Sequence, residues 1–411
     1  MSSKISKIYP WLVVAMLWVV ALLNYMDRQM LSTMREYMAL DIAELQSAEA
    51  FGALMGIFLL IYAFVSPFAG TVADRLSRKW LIVGSLAVWS VVTLLMGYCT
   101  TFSQLKLLRG LMGVSEALYI PSSLSLIADY HSGKSRSLAV GIHMTGLYLG
   151  QALGGFGASL AGALSWQQTF HWFGIIGVVY AVLLVFALKE NRKPAEVKVQ
   201  AADAPKESIW KSFGLIFSNI AFWAILFFFA SSSMPGWATK NWLPTLFQTS
   251  LGIPMEQAGP IATITIAASS LLGVLIGGPL SDRWVKKNLK GRVYTSAIGL
   301  AMMVPALVLI GLGEGLAAAV AAGLLFGVGY GMFDTNNMPI LCQFVPGRLR
   351  ATAYGFMNTI GVAMGYVCTL VLGRMQDAGN LGAAFAVLGI VTALALIVQL
   401  TVLKPKTDDM Q

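Results

Sequence analysis

Six ionisable residues stand inside long apolar stretches of the sequence, where a charged side chain is costly. They are the acids Asp27, Glu116 and Asp334 and the bases Arg28, Arg109 and Lys240. An ionised side chain at the centre of a bilayer costs roughly 2.5 to 3.5 kcal/mol even on a lenient insertion scale. Buried carboxylates can take up and release protons, and a guanidinium can hold a carboxylate ligand through paired hydrogen bonds. These six residues are therefore candidates for binding an anion and a proton.

The elements that position these residues are apolar segments that recur along the chain. Hydrophobic residues make up 57% of the 411 residues and charged residues only 11%, against roughly a quarter charged in soluble domains. Runs of about 20 apolar residues are long enough to cross a ~30 Å hydrocarbon core. We therefore predict an all-α membrane protein with twelve transmembrane helices in two pseudo-symmetric six-helix halves. The predicted spans are Pro10–Met34, Ala50–Ala73, Leu81–Cys99, Phe102–Tyr130, Ser137–Leu164, Gln168–Leu188, Asn219–Phe247, Gly259–Leu280, Val293–Leu312, Leu316–Phe344, Ala351–Met375 and Leu381–Leu403.

The distribution of basic residues predicts the orientation of these spans. A net charge of +9 would suggest a nucleic-acid partner in a soluble protein, but here most lysines and arginines fall in short loops on one side of the predicted membrane. The positive-inside rule makes that side cytoplasmic. We expect both termini in the cytoplasm, a multi-pass protein of a bacterial inner membrane, the lipid bilayer as partner and no nucleic acid.

A polar segment near the middle of the chain separates two related halves. We predict an N-terminal six-helix bundle at 1–188, a cytoplasmic linker at 189–211, a C-terminal six-helix bundle at 212–404 and a cytoplasmic tail at 405–411. Loop residues of the first half recur in the second at nearly one spacing, which indicates an internal duplication. The recurring residues are Gly70, Asp74, Arg75 and Arg136, matched by Gly278, Asp282, Arg283 and Arg350.

Several other classes of protein are not supported by the sequence. Cys99, Cys342 and Cys368 show no metal-ligand spacing. Walker sequences, nucleophile elbows and metal triads do not occur, so neither an ATP-driven pump nor a membrane enzyme is favoured. We expect no metal site and no cofactor, with the proton as the coupling ion.

The cytoplasmic loop from Gly70 to Lys79 resembles the signature G-x-L-A-D-R-x-G-R-K of the major facilitator superfamily. The resemblance implies the fold of that family. An acid and a base at such helix ends can pair across the halves and must separate when the cytoplasmic side opens. We predict a cytoplasmic gate; the alternative is that these charges only set topology. The predicted gate residues are Asp74, Arg75, Arg78, Arg136, Asp282, Arg283 and Arg350.

Two further stretches, 24–28 and 109–117, together with Pro121, look like the anion:cation symporter family, which includes hexuronate, aldonate and sialic-acid carriers. Spinster-type lysolipid transporters share parts of the pattern. In this fold the first, fourth, seventh and tenth helices line a central cavity. The resemblance also implies that Asp27 and Glu116 are the proton-coupling residues.

We predict that Arg28 faces the substrate, because neighbouring residues on a helix point about 100° apart and Asp27 then turns toward another helix. Asp27 would pair with Arg109, and Arg109 would also contribute to the substrate site. The alternative is a static buried pair that only fixes helix packing. Aromatic and polar neighbours would complete this part of the site, namely Asn24, Tyr25, Tyr119, Tyr148 and Gln151.

The second half offers a separate polar set on the seventh and tenth helices. Trp237, Lys240 and Asn241 share one helix face, and Lys240 could supply a second cation to an anionic ligand. The alternative is that Lys240 reaches the outer interface. In the tenth helix, hydroxyl-binding side chains follow a glycine-rich stretch, although bonding between helices would suit them equally. These tenth-helix residues are Asp334, Asn336 and Asn337.

The sequence therefore predicts a proton-coupled importer of an acidic sugar or related organic anion, such as a hexuronate, aldonate or sialic acid, working by alternating access as a monomer. The alternatives are a Spinster-type transporter of lysolipids or other amphiphiles, a facilitator of neutral sugars and, from another class, a non-transporting receptor.

Overall fold

The computed structural model describes residues 2–131, 134–190, 215–346 and 349–407. Within these ranges the chain forms two compact units. The first contains the described residues up to 190 except 47–59, and the second contains 47–59 and the described residues from 215 onward.

Helices make up the first unit. Their bounds are α1 Ser2–Leu31, α2 Arg35–Ala39, α3 Ala48–Arg75, α4 Arg78–Met96, α5 Phe102–Ala117, α6 Tyr119–Tyr130, α7 Lys134–Gly154, α8 Gly157–Ala163 and α9 Trp166–Ala187. A short 3₁₀ helix, Ala43–Gln46, precedes α3, whose first residues belong to the second unit.

The second unit is also helical and repeats the packing order of the first. Its helices are α10 Ile220–Leu251, α11 Met255–Val285, α12 Gly291–Leu312, α13 Gly315–Asp334, α14 Asn337–Phe344, α15 Arg350–Asp377 and α16 Leu381–Val402. In the first unit α1 packs against α7 and α4 against α9. The corresponding helices pack in the second, α10 against α15 and α12 against α16. The same pairing in each unit agrees with the duplication that the loops indicate.

Length and hydropathy identify most of the predicted spans. In the described part of the chain, eleven helices are long and apolar enough to cross a membrane. The remaining predicted span, Ser137–Leu164, corresponds to α7 and α8, which are separated by a break after Gly154. The chain is thus a multi-pass, all-α membrane protein, as the sequence predicts.

A proline interrupts the fourth helix of each repeat just after an acidic residue. The break between α5 and α6 comes at Leu118, and that between α13 and α14 comes at Thr335 and Asn336. Pro121 and Pro339 are the third residues of the new segments. Proline has no N–H to bond the carbonyl four residues earlier, so each helix is weakened at that point. The breaks place Glu116 and Asp334 at helix ends in the interior of the chain.

Close contact between α1 and α7 holds the charged part of α1 in place. A Cβ atom added to Gly146 would lie 2.7 Å from the carbonyl oxygen of Trp18, and one added to Gly150 would overlap the carbonyl of Leu22. Because these glycines lack side chains, the backbones of α1 and α7 approach one another at these positions.

Gly150→Ala is therefore expected to lower the thermal stability of the purified protein, since overpacking typically costs about 1 to 3 kcal/mol. The matched control is Gly141→Ala on the same helix, where an added Cβ has no atom within 4 Å. Thermal unfolding in detergent measures both. Equal unfolding temperatures for the two variants would contradict the proposed role of close packing.

Candidate functional site

The first unit contains a buried ion pair between α1 and α5. The Nε atom of Arg28 donates a hydrogen bond to Oε2 of Glu116. The Glu116 side chain is fully buried and that of Arg28 is 13% exposed. Breaking a buried pair by removing one partner typically costs about 3 to 5 kcal/mol, because the other charge stays buried. Any change in the charge of Glu116 must therefore affect Arg28.

Two tyrosines flank the Arg28 guanidinium. Its central carbon lies 5.0 Å from the ring centre of Tyr25, on α1, and 5.2 Å from that of Tyr62, on α3. Cations are attracted to the faces of aromatic rings at such distances. The rings and the ion pair together fix the direction in which the guanidinium points.

Asn24 lies one helical turn before Arg28 and is fully buried. It is near enough to Glu116 to interact with the carboxylate. Three buried polar atoms here have no partner with hydrogen-bond geometry among the described residues. They are Nδ2 and Oδ1 of Asn24 and Oε1 of Glu116. Buried polar atoms left in this state each cost about 1 to 3 kcal/mol. The polar groups beside Arg28 therefore retain capacity for another hydrogen-bonding group.

Asp27 has a different environment from the one the sequence predicts. Its Oδ2 atom accepts a hydrogen bond from Oγ1 of Thr93, on α4, at 2.6 Å. Within the described chain no ion pair joins Asp27 to Arg109, whose Nη1 atom instead donates to Sδ of Met112 at 3.0 Å. The two charges attract each other only through space. The predicted direct pairing is wrong because Asp27 turns toward α4.

Two acids and two bases share this buried region, so its formal charge is zero when all four are ionised. Asp27 is 5% exposed, Arg109 is 3% exposed and Glu116 is fully buried. An uncompensated charge in such a place is strongly unfavourable. An anion that enters this region therefore favours the entry of one positive charge with it.

A second polar cluster lies in the second unit. The Lys240 Nζ atom lies 4.9 Å from the ring centre of Trp237 and 5.8 Å from that of Tyr330. Lys240 and Asp334 attract each other electrostatically, and Asp334 Oδ1 accepts a hydrogen bond of 3.4 Å from Asn337 Nδ2. The structure thus brings together a cation, an acid and two aromatic rings that the sequence places on separate helices.

Some polar groups of the predicted substrate site bond within the second unit. Asn241 Nδ2 donates to Thr369 Oγ1 at 2.8 Å, and Asn336 Nδ2 donates to the Met332 carbonyl at 2.8 Å. Both Asn336 and Asn337 are buried. Bonding within the protein therefore accounts for part of this cluster, as the alternative interpretation allows.

Three other residues predicted for the site lie on α6 and α7. Tyr119 is fully buried and donates a hydrogen bond of 2.8 Å to the Leu17 carbonyl. Its ring packs against Trp89. Tyr148 is half-buried and Gln151 is buried, both on α7. The hydroxyl of Tyr119 is already used in packing α1 against α6.

The predicted gate can be described only in part, because the side chains of Asp74 and Arg75 lie outside the described residues. Arg78 pairs with Asp129, at the end of α6. Asp282 and Arg283 are exposed near the end of α11. Equivalent arginines of the two repeats bond the carbonyl five residues earlier, Arg136 to His131 at 3.1 Å and Arg350 to Val345 at 3.2 Å.

Tyr62 and Thr93 belong to the charged region but were not identified from the sequence. Each is a single polar group in an apolar span, with no motif to distinguish it. One unused signal did exist, since both Glu116 and Asp334 precede a proline by five residues. That spacing identifies the two helix breaks at which these acids lie.

Comparison with known sequences places these observations in a family. The sequence profile of the Major Facilitator Superfamily matches residues 17–368. A hexuronate transporter of Bacillus subtilis (strain 168) is 26% identical over 95% of this chain and 93% of its own length. A probable L-galactonate transporter of Escherichia coli (strain K12) is 25% identical over 66% of this chain, and the match spans 61% of that relative.

A solved structure supports the fold. The bacterial homologue of the human lysosomal transporter Spinster, in an inward-facing and occupied conformation, superposes with a TM-score of 0.78 at 19% identity. The superposition covers 96% of each chain. At that identity the likeness concerns the fold and not the ligand.

Proposed function

Because the chain belongs to the major facilitator superfamily, we propose that this transporter carries a small organic anion together with a proton. The substrate class that fits best is an acidic sugar, namely a hexuronate, an aldonate or a sialic acid. Names of relatives support an organic acid, since matched sequences include a hexuronate transporter and a probable L-galactonate transporter. We further propose import across a bacterial inner membrane by a monomer, with both termini in the cytoplasm, as the positive-inside bias suggests.

The observation that carries this proposal is the buried pair of Arg28 and Glu116. An ionised Glu116 holds the guanidinium through a charge-assisted hydrogen bond. When Glu116 takes up a proton, it no longer competes for Arg28, and the positive charge is available to a substrate carboxylate. The proton and the anion thus enter together, and the formal charge of the region stays at zero.

The surroundings of Arg28 suit a polyhydroxylated acid. The guanidinium fork can donate hydrogen bonds to both oxygens of a carboxylate. The buried Asn24 amide, beside the Glu116 carboxylate, can bond a sugar hydroxyl as donor or acceptor. Tyr25 and Tyr62 offer ring faces against the apolar side of a sugar. Asp27 does not hold Arg28 directly. We assign it a supporting role in proton coupling.

An apolar groove supports a second candidate, transport of an amphiphile. The groove lies between α4 and the α5–α6 segment, has a volume of about 370 Å³, and is lined mainly by apolar residues that include Trp80, Val88 and Leu111. All three are exposed. An acyl chain would fit such a surface.

Thermal unfolding of the purified protein with a panel of ligands separates the two candidates. The panel contains a hexuronate, an aldonate, a sialic acid, a neutral hexose and a lysophospholipid. We expect at least one acid to raise the unfolding temperature, because a ligand present at 100 times its Kd stabilises the folded state by about 2.7 kcal/mol. The neutral hexose should have no effect. Stabilisation by the lysophospholipid alone would overturn the acidic-sugar proposal and favour the amphiphile.

A further inference from the structure

A small cavity lies beside Asp27, between α1, α4 and α9. Asp27, Ser90 and Thr93 supply its polar lining, and the rest is apolar except for the backbone at Gly177. Its volume is about 10 Å³, which is about the space that one water molecule requires. Arg28, Glu116 and the two flanking tyrosines do not line it.

The carboxylate of Asp27 has one oxygen available to an occupant of this cavity. Asp27 is 5% exposed, and within the described structure its Oδ1 atom has no hydrogen-bond partner. The other oxygen, Oδ2, bonds Thr93. A water molecule could donate to Oδ1 and use the Ser90 hydroxyl as a second polar partner. A polar cavity with such partners meets the requirements for a bound water.

Thr93 can accommodate both protonation states of Asp27. Its hydroxyl oxygen lies 2.6 Å from Asp27 Oδ2 and 3.0 Å from the carbonyl oxygen of Trp89. A hydroxyl carries one proton and accepts through its lone pairs. It can therefore donate to an ionised Asp27, or accept from a protonated Asp27 while it donates to Trp89. The hydrogen bond between the two side chains persists in either state.

We propose that one water molecule occupies this cavity and exchanges protons with Asp27, as the first step of a route separate from the anion site at Arg28. The inference rests on the proposed function, in which the transporter moves protons. The charged groups that act on Asp27 are Arg28 on its own helix and Arg109 and Glu116 on α5. From α4 the cavity is lined by Trp89 and by the hydroxyls of Ser90 and Thr93, and from α9 by Phe173 and Gly177; these lining residues carry no charge.

Infrared spectroscopy of the purified protein tests this route directly, without a substrate. The C=O band of the protonated Asp27 carboxyl is assigned by its loss in Asp27→Asn, and its shift after transfer to D2O reports proton exchange. Ser90→Thr adds one methyl group, about the size of the cavity, and keeps the hydroxyl; Ser90→Val fills the cavity without it. Ser90→Ala is the matched control that leaves the cavity open.

Both filling variants should slow the exchange at Asp27 by roughly tenfold or more, because a close-packed interior excludes water. Ser90→Ala leaves the cavity open but removes one hydrogen-bond partner of the water, so it should slow exchange less than either filling variant. Wild-type rates in the filling variants, equal slowing in Ser90→Ala or the lack of an Asp27-dependent band would each overturn the inference. The readout is independent of the substrate: if a pH gradient drives no anion uptake but the filling variants slow exchange, the proposed function fails and the cavity route stands.

Discussion

Arg28→Ala is expected to weaken the binding of an acidic sugar by about a hundredfold or more. The variant removes a charge-assisted, bidentate hydrogen bond from a buried site, which costs a few kcal/mol. Arg28→Lys restores the charge but not the planar fork, so it should retain only weak binding. Isothermal titration calorimetry or ligand-induced thermal stabilisation measures the affinity of each variant.

Arg374→Ala provides the matched control for the loss of an arginine. Arg374 also pairs with a glutamate, since its Nε atom donates to Glu49 Oε1 at 2.7 Å, but its side chain is 65% exposed. Exposed pairs contribute about 0 to 1 kcal/mol, so affinity should stay near that of the wild type. A neutral amide of the same sugar acid should bind the wild type poorly. Equal affinity for the acid and the amide would contradict the proposed anion site at Arg28.

Glu116→Gln is expected to abolish accumulation driven by a pH gradient while exchange of substrate between two loaded sides continues. The amide imitates a permanently protonated Glu116, so Arg28 stays available to the anion but no proton can be released. Proteoliposomes measure both activities, the first as uptake with an alkaline interior and the second as counterflow. Glu49→Gln, which removes the exposed acid paired with Arg374, is the control.

The outcome for Glu116→Gln distinguishes coupling from simple support of the fold. If the pair only fixed helix packing, both activities would fall together with thermal stability. Wild-type accumulation in the variant would show that Glu116 does not couple proton movement to transport. Loss of counterflow with an unchanged unfolding temperature would mean that Glu116 binds the substrate itself.

The helical framework could be predicted because apolar runs of bilayer length leave few alternatives. The breaks in the fourth helix of each repeat were also encoded, since Pro121 and Pro339 remove the same backbone hydrogen bond in equivalent segments. The fifth span was predicted as one helix, Ser137–Leu164, but it is interrupted after Gly154. Its glycines instead provide the close contact with α1.

The partners within the charged region could not be predicted from the sequence. Helical geometry correctly separates Asp27 from Arg28, but it does not specify which neighbouring helix each side chain meets. Thr93, on α4, bonds Asp27, and Arg28 meets Glu116 rather than a free cavity. Helix rotation and packing decide these contacts, and they depend on glycine positions distant in sequence. The polar cluster around Lys240 arises in the same way from two separate helices.

The most direct test of proton and anion exchange is the proton uptake that accompanies binding. Purified protein in weakly buffered solution with a pH-sensitive dye is mixed with a sugar acid that stabilises it. At a pH where Glu116 is ionised in the ligand-free protein, we expect proton uptake that rises with ligand concentration and saturates together with binding. Glu116→Gln should still bind the sugar acid but take up no proton. Saturable binding to the wild type without proton uptake at any pH where it is folded would contradict the mechanism.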